Sequence, residues 1–243
     1  MRLGALLTPG NPGTLAEQAR SLEGAGFDSI WSAQAMGRGF MMTDPFVALS
    51  VAAGATTQME LGTAILQLPL YNPTDIALKS MSLHQASGGR FVFGVGAGST
   101  ESDYVIHGAD FASRFKLFES CLEQLRGIYT DGSAHEGNIG ASGGPPLFFG
   151  PWGKNVARAA NEFDGWIASG MHRTPEQCAQ AMQGYRAAGG GRAIVSTIRI
   201  MPDTDLVAMK DTLIAYAEAG FDDAVVMVLG DVPLDDVRGL VSK

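Results

Sequence analysis

One recurring phrase constrains this chain more than any other. Gly24-Ala25-Gly26-Phe27-Asp28-Ser29-Ile30-Trp31 returns as Glu218-Ala219-Gly220-Phe221-Asp222-Asp223-Ala224-Val225, and a fainter copy stands at Asn161-Glu162-Phe163-Asp164-Gly165-Trp166-Ile167. In each copy a helical pattern ends and an apolar strand begins almost at once, with glycine making the break in the first two. A junction used repeatedly implies a repeated helix-strand unit.

The remaining apolar runs complete the series. Strands are expected at Arg2 to Leu7, Ser29 to Trp31, Met59 to Leu66, Phe91 to Ala97, Leu147 to Phe149, Gly165 to Ala168, Ala193 to Met201 and Ala224 to Val228. Helical patterns alternate with them from Thr14 to Ala25, Asp44 to Thr56, Pro73 to Gln85, Arg114 to Tyr129, Lys154 to Asn161, Pro175 to Ala188 and Asp205 to Ala219, with a short one after Pro233. About eight strand-helix pairs in 243 residues fit an α/β chain closed into a single (β/α)8 TIM barrel, residues 1 to 243, better than an open doubly wound sheet. Proline and glycine cluster only at the junctions, so no linker or second domain is expected. Of the two long connections, Ser99 to Ser113 follows a strand and stands on the catalytic face as a candidate lid. Asp131 to Pro145 follows a helix and belongs to the opposite face.

Charge narrows the partners. A formal charge of −8 supplies no basic face for nucleic acid or anionic membrane, and no segment approaches the roughly 18 apolar residues of a membrane span, so a cytoplasmic protein is expected. Cys121 and Cys178 fall in helical patterns far apart, with neither disulfide nor metal spacing, and read as small buried hydrophobes.

In a barrel, function is written just after each strand. That ring holds Thr8, Ser32 to Gln34, Ala64 to Gln67, Gly96 to Ser99, Gly150 to Gly153, Ser169 to His172, Met201, and Met227 to Gly230. It lacks the lysine of Schiff-base chemistry, the His and acid cluster of a metal site and the paired acids of a glycosidase. What remains is glycine, alanine, serine and apolar side chains, which suit a planar organic cofactor that brings its own chemistry. Gly94, Gly96 and Gly98 read as a surface cleared for a ligand or as an ordinary turn. Gly150 to Asn155 and Ser169-Gly170 ahead of Thr174-Pro175 read as phosphate sites at helix starts, with Lys154 or His172 nearby, or as ordinary caps.

Ala25-Gly26-Phe27-Asp28-Ser29-Ile30-Trp31, Leu61-Gly62-Thr63-Ala64, Asn72-Pro73, Ser87-Gly88-Gly89-Arg90-Phe91, Gly94-Val95-Gly96-Ala97-Gly98 and Asp164-Gly165-Trp166-Ile167 resemble in order and spacing the bacterial luciferase-like monooxygenase family. The resemblance implies a (β/α)8 barrel with a cofactor, FMN or the deazaflavin coenzyme F420, over the carboxyl ends of the strands. It implies that Thr63, Ala64 and Ile65 back the ring, with a non-prolyl cis peptide at Ala64-Ile65. Gly96, Ala97, Gly98 and Ser99 would line the cofactor, and Gly150, Gly153, Ser169 and Gly170 would hold its phosphate.

One departure bears on mechanism. Where the family often ends its second strand in an acid-histidine pair, this chain has Ser32-Ala33-Gln34, and an amide cannot shuttle a proton. Gln34 is expected to orient substrate, with Glu101 and His107 as acid-base candidates on the lid. The implied activity is that of an oxidoreductase taking reduced FMN and dioxygen to a small apolar substrate. The alternatives are direct hydride transfer from F420, or a non-catalytic flavin-binding relative. The resemblance also implies a separate flavin or F420 reductase and a homodimer, for which the apolar Pro45 to Ala55 helix reads equally as an interface or as core packing, and no metal is called for. A phosphosugar enzyme without redox chemistry is the remaining rival.

Overall fold

The structure is a computed structural model, and it describes residues 1–8, 13–36, 39–131 and 143–241. Strands β1 (Arg2–Leu6), β2 (Ser29–Ser32), β3 (Glu60–Thr63), β4 (Leu66–Gln67), β5 (Phe91–Gly96), β6 (Leu147–Phe149), β7 (Gly165–Ser169), β8 (Arg192–Ile200) and β9 (Asp223–Val228) are all parallel to their neighbours. The helices are α1 (Leu15–Gly24), α2 (Pro45–Ala55), α3 (Pro73–Ala86), α4 (Glu101–Ile106), α5 (Arg114–Asp131), α6 (Val156–Glu162), α7 (Pro175–Ala187), α8 (Leu206–Glu218) and α9 (Leu234–Arg238). The sheet runs β3-β2-β1-β9-β8-β7-β6-β5-β4, and β3 also pairs with β5, which closes it. β3 and β4 are two pieces of one barrel strand broken at Ala64 and Ile65, so the barrel has eight staves. The continuous strand expected from Met59 to Leu66 is corrected accordingly. The lid stretch Ser99 to Ser113 is likewise not one loop, since it contains α4. Most of the Asp131 to Pro145 connection, with His135, lies outside the described residues. None of the described helices is long and apolar enough to cross a membrane.

The recurring phrase now has a physical account. Asp28 accepts the backbone N–H of Leu3 at 2.8 Å, Asp164 that of Leu147 at 2.7 Å and Asp222 that of Ala193 at 2.8 Å. Each aspartate therefore holds the start of a neighbouring strand, satisfying an edge donor and setting register. The phenylalanine before it packs into the layer between strands and helices, with Phe27 and Phe221 buried and Phe163 partly so.

A second core fills the barrel itself, built on Leu6, Trp31, Ala64, Val92, Phe148, Ile167, Ile194 and Val225. Trp31 is its largest member, and its ring needs Gly4 and Gly62: a Cβ there would lie 2.9 Å and 2.2 Å from ring atoms. Arg90, from the Ser87 to Phe91 phrase, is structural. Its guanidinium donates to Ala53 O, Thr56 O, Thr56 Oγ1, Met59 O and Ser87 O, tying the carboxyl end of α2 to the entry of β3. At the amino-terminal end of the barrel, Arg192 binds Glu60 at 2.6 and 2.9 Å and the fully buried Asp223 at 2.8 and 2.9 Å, with Arg2 alongside.

Candidate active site at the carboxyl ends of the strands

At the other end of the barrel, the Ala64–Ile65 peptide bond is cis, where the resemblance implied it. Thr63 Oγ1 donates to Gly94 O at 2.7 Å, Ala64 N to Ser32 O at 2.9 Å, and Gln34 N to Ile65 O at 3.4 Å, so the break is braced from both sides. The nearby glycines serve this segment. A Cβ on Gly94 would stand 2.0 Å from Thr63 O, and one on Gly96 or Gly150 would stand 2.8 Å from the Ile65 side chain. Gly98, at φ +76°, passes under the Gln67 amide, 2.0 Å from where its Cβ would be. The reading of Gly94 to Gly98 as a bare surface is therefore revised: what clears the way is glycine, but what stands in the clearing is Ile65 and Gln67.

Three buried polar side chains meet above that surface. Gln34 Oε1 accepts Gln67 N at 2.8 Å, and Gln67 Nε2 donates to Asp103 Oδ2 at 2.7 Å. Asp103 Oδ1 also accepts Met36 N at 3.0 Å, so one fully buried carboxylate ties the connection after β2 to β4 and α4. These contacts fix both amide orientations, because the backbone N–H requires an oxygen and the carboxylate requires an N–H. Gln34 Nε2 and Gln67 Oε1 are then left buried without a partner. One unmatched donor and one unmatched acceptor fit a ligand edge that offers a carbonyl oxygen and an N–H, as the pyrimidine edge of a flavin or deazaflavin does.

The expected acid-base pair is not assembled here. Glu101 opens α4 and is exposed, while His107 closes it, exposed, with Nδ1 held 2.7 Å from Asp103 O. The residue facing Gln67 is Asp103, which the sequence reading passed over. Tyr104 follows it, fully buried, its hydroxyl donating to Ala97 O. Burial pushes its hydroxyl up from 10.0 to about 12, against a downward pull from Arg114. Ser99 is exposed.

The phosphate site expected at Gly150, Gly153, Ser169 and Gly170 is changed in its donors. The N–H of Gly150 is engaged by Val95 O at 2.9 Å and that of Gly170 by Ser196 O at 2.7 Å, so neither is available. The start of α7 is closed by its own capping box, Thr174 with Gln177. Gly153, exposed at φ +63°, opens the 3-10 turn Gly153–Asn155, whose first N–H groups have no helical partner. Beside it the Arg173 guanidinium lies 4.5 Å from the Trp152 ring, while Lys154 and His172 are exposed.

A model of the luciferase-like monooxygenase family matches residues 1–227. A protein of Mycobacterium tuberculosis without assigned activity is 26% identical over 214 residues, covering 82% of this chain and 74% of that protein. Among solved structures, the coenzyme F420 dependent tetrahydromethanopterin reductase of Methanopyrus kandleri superposes with a TM-score of 0.72 at 16% identity, covering 99% of this chain and 98% of that one. The oxygenating constituent of 3,6-diketocamphane monooxygenase from Pseudomonas putida, in complex with FMN, gives 0.69 at 15% identity, covering 99% and 83%. The folds agree, and the family match spans nearly the whole chain: this protein belongs to the luciferase-like monooxygenase family.

Proposed function

We propose that this protein is a flavin-dependent oxidoreductase that uses reduced FMN and dioxygen on a small apolar substrate bound at the carboxyl ends of its strands. The observation carrying the reading is the buried amide pair with one free donor, Gln34 Nε2, and one free acceptor, Gln67 Oε1, above the Ala64–Ile65 segment. The bound ring would supply the redox chemistry. Ile65 and Ala64 would back it, Gln34 and Gln67 would pair with its polar edge, and Asp103 would hold the Gln67 amide in place. Gln34 orients and does not transfer protons, so no proton relay is assigned to it. Met36, Phe40 and Met41 after β2, Val105 and Ile106 on α4, and Met201 after β8 are exposed apolar side chains on this same face, which favours an apolar substrate and the exclusion of water. The FMN-bound and F420-dependent neighbours support the two cofactors equally. Hydride transfer from F420 is therefore the second reading, and a non-catalytic cofactor carrier the third. A separate reductase would supply the reduced cofactor, and Val47 and Val51, exposed on α2, would be covered in a homodimer.

The test is reconstitution with reduced FMN and, separately, with reduced F420, following cofactor oxidation against a panel of aldehydes, ketones and alkanes. Substrate-dependent acceleration with FMN in air supports the first reading, and acceleration with F420 under anaerobic conditions supports the second. Tight binding with no acceleration by any substrate favours the carrier.

A further inference from the structure

β8 contains an irregularity that redirects one side chain. Along its first half the alternation is regular: Ala193 and Val195 face the helices, while Ile194 faces the barrel interior. The register with β9 then slips, Val195 pairing with Ala224 but Ile198 with Val226, so Ser196 and Thr197 together oppose Val225. The extra residue is Thr197, held at φ +64°, a conformation that a β-branched side chain rarely adopts. Beyond it the faces are exchanged. Ile198 and Ile200 join the helix-facing core, and Arg199 pairs with Met227, which packs on the interior cluster. Strict alternation would have turned Arg199 toward the helices; the bulge turns it to the barrel mouth. There it is exposed and makes no hydrogen bond or ion pair among the described residues.

We propose that Arg199 is an oxyanion-binding residue of the barrel mouth, placed there by the Thr197 bulge to take a phosphate or carboxylate group of the molecule that occupies the mouth. A guanidinium offers a planar fork matched to both groups. The adjacent strand, β7, ends at Ser169, opposite Ser196 three residues before Arg199, and the Gly170 N–H that follows is already engaged by Ser196 O, so a side-chain cation supplies what that backbone cannot. Met201, two residues further along the chain, is an exposed apolar side chain and suits the remainder of an amphipathic molecule. The inference rests on the proposed function only in taking the strand ends as the occupied face.

The rate at which phenylglyoxal labels Arg199, followed by peptide mapping, tests it. Labelling is measured alone and with FMN, riboflavin, hexanoate or hexanol. The expected result is protection of several-fold by an anionic probe and not by its uncharged counterpart. Protection by FMN but not riboflavin assigns the group to the cofactor phosphate, and protection by hexanoate but not hexanol assigns it to a substrate carboxylate. Equal protection by charged and uncharged partners, or none by any, overturns the proposal. Arg199→Met should weaken the protecting probe about tenfold and leave its uncharged counterpart unchanged. Thr197→Gly, which keeps the extra residue, should behave as wild type. Failure of both FMN and riboflavin to bind, seen by flavin fluorescence, would remove the FMN reading while the hexanoate arm still decides this one.

Discussion

The two ends of the barrel treat their charges in opposite ways, and β8 carries an arginine at each. Arg192, at the amino-terminal end, is saturated by Glu60 and the fully buried Asp223. Burial alone would lower its pKa, but the hydrogen bonds to both acids outweigh that and raise it. Arg199, at the carboxyl end, has no partner among the described residues, and two buried amides below the same mouth each keep one unmatched atom. One end is complete without a ligand and the other is not. The difference separates residues that hold the fold from residues available to chemistry, in line with the division of labour between barrel faces.

The largest effect is expected from emptying the completed end. Arg192→Ala leaves Asp223 as a buried carboxylate whose one remaining ion-pair partner among the described residues is the half-exposed Arg2, which should cost about 3–5 kcal/mol and lower Tm by roughly 6–20 °C. Thermal unfolding at neutral pH measures it. A loss under about 1 kcal/mol would mean that the amino-terminal ion cluster does not carry the fold. Asp103→Ala should come next. It strips the acceptor from Gln67 Nε2 and Met36 N inside the mouth, for about 2–3 kcal/mol, and should loosen the connection after β2 as read by hydrogen exchange.

Much of this division was legible in the sequence, and the exceptions share a cause. The recurring Phe-Asp junction marked the barrel, and the structure shows why three aspartates recur: each anchors a neighbouring strand. The cis peptide at Ala64–Ile65 is reached through family resemblance alone, and the strand break that accompanies it is not, since no local pattern of Thr63-Ala64-Ile65 distinguishes it from a core strand. Asp103 escaped notice because α4 is too short to show a helical period, so its buried side could not be told from its exposed one. Arg199 escaped because alternation along β8 predicts the wrong face, and a bulge at threonine carries no glycine to announce it. Gly150 and Gly170 look from the sequence like free donors at helix starts, yet the sheet already uses their N–H groups. Pattern reading sees period and composition; it does not see which hydrogen bonds the fold has already made.

A smaller effect separates Tyr104, which braces the mouth, from the ligand-facing residues above it. Its folded pKa is raised above the unfolded value near 10, so its contribution is fully present below pH 10 and is lost as pH rises through about 12. Tyr104→Phe should cost about 1 kcal/mol at pH 7 through the lost bond to Ala97 O. That deficit should shrink between pH 10 and 12, because only wild type must then either ionise a buried hydroxyl or keep it protonated against the solvent. A constant gap across that range, measured by denaturant unfolding, would mean the tyrosine is not held neutral by the fold.

The smallest effect belongs to Arg199, and its smallness is informative. An exposed guanidinium with no partner among the described residues offers little that its removal could take away, so Arg199→Met should change unfolding free energy by no more than about 0.5 kcal/mol. Arg192→Met on the same strand should lose several times as much. The pair isolates position from residue type, since the arginine, the replacement and the strand are shared. If Arg199→Met proved as destabilising as Arg192→Met, the mouth arginine would have to be a fold element like its counterpart, and the Thr197 bulge would then serve packing and not presentation of a cation to a ligand.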